Sequence, residues 1–251
     1  MHPICFEIGG HAIYWYGVMM ALAFVAGMLN WWRLGRRAGR TWEDASDLGF
    51  WIMIAGIVGA RLAYVASDGA YFMAHPELIV RVDQGGLIYY GGFIGAIIAV
   101  LIIALRRREP PFALGDFVVT SLPLGHAIGR IGCFLNGCCY GTPTNLPWAV
   151  TLEGALRHPV QLYETALNLL VFIFLRQRYL RGAGRPGHVL AWYLLTYSPI
   201  RFLLEFWRGD DRLRWWGGMT VAQDISLVLF FTGVVLWSLT RNRHEHTALA
   251  S

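Results

Sequence analysis

Seven predominantly apolar stretches recur along the chain, at 11–32, 47–66, 86–105, 117–137, 161–175, 187–207 and 219–240. A membrane-crossing helix needs about 20 such residues. The stretches are continuous, whereas a transmembrane barrel shows alternating strands of roughly ten residues. The fifth stretch is short and extends into 176–179. The pattern predicts an all-α, polytopic integral membrane protein with seven transmembrane helices, in a single membrane-embedded domain over residues 1–251. Pro123 and Pro199 fall inside the fourth and sixth stretches and predict kinks, with the freed backbone groups re-satisfied by neighbours.

The polar residues between the stretches set a direction. Thirteen arginines lie in alternate segments: Arg33, Arg36, Arg37 and Arg40; Arg106, Arg107 and Arg108; Arg176, Arg178, Arg181 and Arg185; Arg241 and Arg243. The opposite segments carry five, namely Arg81, Arg157, Arg208, Arg212 and Arg214. Cytoplasmic loops are enriched in basic residues, so the N-terminus is expected outside and the C-terminus in the cytoplasm. The segment before the first stretch has no basic n-region and no small-residue cleavage pattern follows it, so that stretch is expected to be retained.

Composition agrees. The apolar set makes up 56% and charged residues 15%, against about 25% charged in soluble domains, and mean hydropathy is +0.45. This excludes a disordered chain, a fibrous protein, a disulfide scaffold and most soluble enzymes. The net charge is +5 and every basic residue is arginine. Their placement makes the charge a topology signal, and no nucleic-acid partner is expected.

Three arginines, Arg61, Arg130 and Arg201, lie inside stretches and oppose that bias. With the N-terminus outside, they fall in the outer half of the membrane. Tyr14, Tyr16, Tyr89, Tyr90, His158, Gln161, Tyr163, Glu164, Glu205 and Arg208 fall at similar depth. Each has an ordinary reading: snorkelling, an i, i+4 pair for Arg201 and Glu205, or an interfacial aromatic belt. Together they point to an anion site, because intramembrane charges are costly and the guanidinium fork matches phosphate oxygens. Tyr89-Tyr90 between Gly85-Gly86 and Gly91-Gly92 suggests close backbone approach or a broken helix, and Gly95 and Ala99 suggest close helix packing. Cys133, Cys138 and Cys139 have Cx4CC spacing, without the CxxC of zinc sites and with only His126 and His158 as remote histidines. They read first as small apolar residues, with a disulfide at Cys138 or Cys139 as the alternative. No metal is expected.

The same residues carry a resemblance. Tyr14-Trp15-Tyr16-Gly17, Gly59-Ala60-Arg61-Leu62, the glycine-rich run 85–95, Gly129-Arg130-Ile131-Gly132, the run 157–164 and the run 201–208 appear in the order found in bacterial prolipoprotein diacylglyceryl transferases. The resemblance covers nearly the whole chain. It implies an enzyme of the bacterial cytoplasmic (inner) membrane, working toward the outer leaflet. Phosphatidylglycerol would donate its diacylglyceryl group to the lipobox cysteine of a prolipoprotein, giving a thioether and glycerol phosphate. It implies Tyr16, Arg130, Arg201 and Glu205 as functional residues, with Arg130 binding the phospholipid.

The expected catalytic set is Arg130, Arg201, Glu205 and Tyr90. The expected substrate-binding set is Arg130, Tyr16, Arg61, His158, Gln161, Tyr163, Glu164 and Arg208. A thiolate attacking saturated carbon needs the departing phosphate neutralised, and it needs neither an oxyanion hole nor a metal or organic cofactor. Tyr90, Glu205 and His158 are the candidates for taking the thiol proton. Three positions depart from the family pattern: Tyr90 where histidine is common, Cys133 where asparagine is usual, and Cys138 where an acid is usual. A non-catalytic lipid-binding or scaffold paralogue, or transfer to another acceptor, is the alternative. A transporter fits less well, since the polar set lies near one surface and no halves repeat.

Overall fold

The computed structural model describes residues 3–82, 85–152, 154–182, 184–210 and 218–241. Arg212, Arg214 and Arg243, used in the orientation argument, lie outside the described residues. The described chain is mostly helical, with two small antiparallel hairpins. The helices are α1 (Trp15–Gly35), α2 (Trp42–Ser67), α3 (Gly69–Ala74), α4 (Tyr89–Arg107), α5 (Pro111–Val119), α6 (Leu122–Leu135), α7 (Val160–Arg181), α8 (His188–Leu204) and α9 (Val221–Thr240).

Five stretches, Trp15–Ala38, Trp42–Ser67, Tyr89–Arg107, Pro111–Leu135 and Val221–Thr240, are long and apolar enough to cross a membrane. The chain is a multi-pass, mostly helical membrane protein. The predicted fifth and sixth stretches are α7 and α8, which are less apolar or shorter. In α7 the reason is visible. Gln161, Glu164, Thr165 and Asn168 are buried along one face, while Leu162, Leu169, Leu170 and Ile173 are exposed. A soluble amphipathic helix does the opposite. Lipid as the outer solvent favours the apolar side chains outside and leaves the polar ones to partner each other within.

Two predicted spans are corrected. Residues 11–14 are not helical: β2 (His11–Tyr14) pairs with β1 (Ile4–Ile8). Gly9 and Gly10 take φ values of 56° and 80° between them, the left-handed conformation a two-residue hairpin turn requires. The fourth span is not one kinked helix but α5 followed by α6. Pro123 sits in the first turn of α6, where a missing N–H costs nothing. Asn30 donates to the Thr120 and Ser121 hydroxyls at the break, and Ser121 donates to the Gly27 carbonyl.

The described chain divides into two compact units, 1–31 with 116–251, and 32–115. In the first, Val119, Val171, Leu175 and Val189 form the core. The buried Asp116 accepts from the backbone N–H groups of Gly187 and Leu190, capping the start of α8. The α6–α7 connection contains β3 (Val150–Leu152) and β4 (Ala155–Arg157).

In the second unit, α2 opens with a capping box between Thr41 and Asp44 and packs on α4. Contact is close because a side chain at Gly59, Gly91 or Gly95 would meet the backbone of the facing helix. The small-residue reading of Gly95 fits this packing. Gly91 and Gly92 do not break α4, which runs unbroken from Tyr89.

Candidate active site

In the first unit, the Gly129-Arg130-Ile131-Gly132 run occupies α6. A Cβ at Gly132 would lie 3.0 Å from Met19 Cβ and 3.4 Å from Tyr16 Cα, so glycine there lets α1 approach. Tyr16 thereby comes within electrostatic reach of Arg130. Arg130 Nε stands 2.8 Å from Glu164 Oε2 on α7, and His126 Nε2 stands 3.2 Å from Glu164 Oε1. The Glu164 side chain is 1% exposed. His126 and Arg130 are one turn apart on α6, so both reach the same carboxylate. Arg130 Nη1 approaches Cys133 Sγ at 4.0 Å, a weak partner.

Arg201 on α8 is also within electrostatic reach of Glu164. Its Nη1 donates to Glu205 Oε2 at 2.5 Å, and Glu205 Oε1 accepts from the Thr220 hydroxyl at 2.9 Å. Both oxygens of this buried carboxylate are engaged, and the pair expected from the i, i+4 spacing forms. Arg130 and Glu164 are therefore paired, with Arg201 in electrostatic reach of Glu164 and Tyr16 of Arg130, all in one unit.

Other expected site residues are engaged elsewhere. Gln161 donates to the Cys138 carbonyl at 2.8 Å, which pins the segment after α6. Arg208 grips Asp210 through two hydrogen bonds of 2.8 and 2.7 Å. Tyr163 Oη accepts from Trp148 Nε1 at 2.7 Å and lies 3.3 Å from His158 Nδ1. Backbone bonds from Gly141 to His158, Thr142 to Trp207 and Gly209 to Tyr140 knit three segments together.

Arg61 and Tyr90 lie in the second unit. Arg61 donates to the carbonyls of Leu78, Ile79, Gly85 and Gly86, and its guanidinium lies over Tyr64 and Phe72. All three of its nitrogens serve the chain itself. Tyr90 sits half-exposed in the first turn of α4.

The four cysteines are free thiols. Cys139 lies well below the ordinary thiol range, the neighbouring Cys133 and Cys138 thiols being the largest cause and the Arg208 guanidinium adding to the effect against burial.

Sequence reasoning missed His126 and Thr220 as members of this network. His126 carried a signal in its spacing to Arg130, and Thr220 in the Thr220-x-x-Gln223 capping pattern that opens α9.

A family profile described as prolipoprotein diacylglyceryl transferase matches residues 3–239. A phosphatidylglycerol–prolipoprotein diacylglyceryl transferase of Bordetella avium is 37% identical over 251 residues, covering 96% of this chain and 95% of that protein. Proteins of the same name from Lactobacillus acidophilus and Trichormus variabilis are 33% and 36% identical, each over 96% of this chain and 90% and 91% of their own lengths. With the match running nearly end to end, the chain belongs to the prolipoprotein diacylglyceryl transferase family.

Proposed function

We propose that this protein transfers the diacylglyceryl group of phosphatidylglycerol to the lipobox cysteine thiol of prolipoproteins. The observation that carries this reading is the Arg130–Glu164 pair with Arg201 in electrostatic reach, inside a predominantly apolar helical protein. A buried carboxylate 2.8 Å from Nε pairs with the guanidinium charge and leaves the outer nitrogens to serve a phosphate.

In this reading the acceptor thiol loses its proton and its sulfur forms a bond to the glyceryl carbon. The bond from that carbon to the phosphate oxygen breaks, and glycerol phosphate leaves. Arg130 holds the phosphate and Arg201 offsets its growing charge. Glu164 and Glu205 position the two arginines. Tyr16 lines the headgroup position, and His158 and Tyr163 line the approach of the acceptor. Gln161, Arg208 and Arg61 hold chain segments in place, as their bonded partners support. Tyr90 takes part in proton transfer, a role that rests on sequence resemblance.

The proposal includes seven transmembrane helices, with α7 and α8 as the fifth and sixth. The N-terminus lies outside and the C-terminus in the cytoplasm. The protein resides in the bacterial cytoplasmic membrane as a single functional domain, open to the outer leaflet.

The test is to incubate the purified protein with phosphatidylglycerol and a lipobox peptide and weigh the peptide. A gain of one diacylglyceryl group on the cysteine is expected. An unmodified peptide with bound lipid would instead identify a non-catalytic lipid binder.

A further inference from the structure

Cys133, Cys138 and Cys139 form a cluster that the transferase chemistry does not use. Helix α6 ends at Leu135 with Asn136 as its C-cap, and Gly137 takes φ 74°. The Cys138 N–H then bonds the Cys133 carbonyl, and the Gly137 N–H bonds the Phe134 carbonyl. These two bonds make a Schellman turn, which folds the chain back over the last turn of the helix. Cys139 follows with φ 63°, unusual for a residue with a side chain. The three sulfur atoms lie within 4.8 Å of one another and are only partly buried.

We propose that Cys133, Cys138 and Cys139 bind one thiophilic d10 metal ion of the Zn2+ or Cu+ class, through three sulfurs. Zinc–sulfur bonds of about 2.3 Å require sulfurs about 4 Å apart, within the spread the cluster already has. Thiolate ligands select soft ions over Mg2+ or Ca2+. Each thiol releases its proton to solvent on binding. Three thiolates and a divalent ion carry one net negative charge. Arg208 lies within electrostatic reach of Cys139, and Arg130 Nη1 lies 4.0 Å from Cys133 Sγ, so that charge is offset on two sides. Gln161 holds the Cys138 carbonyl and fixes the loop that carries two of the ligands. Spacing alone conceals the site, because the turn, rather than a CxxC knuckle, brings the sulfurs together.

The test uses the reduced full-length protein in detergent, with Cd2+ as the probe. A saturable thiolate-to-metal charge-transfer band is expected, with one ion per chain and displacement by Zn2+. Cys133→Ser, Cys138→Ser and Cys139→Ser should each weaken Cd2+ binding by more than about tenfold, since losing even a group behind a ligand costs that much. Cys5→Ser should leave it unchanged. Absence of the band in the unaltered chain, or its survival in all three variants, would overturn the proposal. So would a mass two hydrogens short in protein purified without reductant and resistant to metal, which marks a disulfide. None of these readouts depends on diacylglyceryl transfer, so the site stands or falls separately from the catalytic reading.

Discussion

Glu164 holds Arg130 from behind: its Oε2 lies 2.8 Å from Nε, the guanidinium nitrogen nearest the main chain. The carboxylate also meets His126 and is almost wholly buried. Removing one partner of such a pair strands the other charge, at about 3–5 kcal/mol. Glu164→Gln, which keeps the shape, should therefore lower the temperature at which the protein aggregates in detergent. It should also cut transfer by about 100-fold, the scale of a small misplacement of a binding group. Unchanged transfer with reduced stability would confine Glu164 to the fold.

Arg130→Lys keeps the charge and discards the fork. If planar recognition of a phosphate matters, lysine will not rescue it, and transfer should drop by about 10²–10³-fold while the protein still accumulates in the membrane. Wild-type-like turnover in this variant would remove Arg130 from the mechanism.

Arg61 makes the contrasting case. Four carbonyls share its three nitrogens, and each carbonyl left unpaired costs about 1–3 kcal/mol. Arg61→Lys should open the chain near Leu78 and Ile79 to protease while the affinity for phosphatidylglycerol is kept. An unaltered cleavage pattern with weakened lipid binding would return Arg61 to the headgroup.

Tyr90→Phe tests a single oxygen. Loss of a group that moves a proton costs about 10²–10⁴-fold, so the variant should slow transfer by at least the lower figure at saturating lipid. A rate equal to that of the unaltered enzyme would reduce Tyr90 to packing.

What the sequence made legible was local. Arg201 and Glu205 are four residues apart, and their pairing follows from the pitch of a helix. The apolar stretches followed from length alone, and five of them satisfy length and hydropathy in the structure. What stayed hidden was contact between distant parts of the chain. Glu164 read as a substrate-binding residue at a helix start, yet it is the shared partner of two α6 side chains. Arg61 looked like a ligand for an external anion because nothing in its own segment announced the carbonyls it binds. The hairpin at Gly9 and Gly10 was masked by hydrophobicity, since Ile13 and Tyr14 suit a span and a strand alike.

Asp116 and Glu205 secure opposite ends of α8, one through backbone N–H groups of the first turn, the other through Arg201 and Thr220. A rod braced at both tips passes slack from one to the other. His188 and Arg201 are about 20 Å apart along it at 1.5 Å per residue. Heat or harsh detergent that frees the Asp116 end should therefore blunt turnover before the bulk of the protein melts, and shelf life and catalytic yield would decay together.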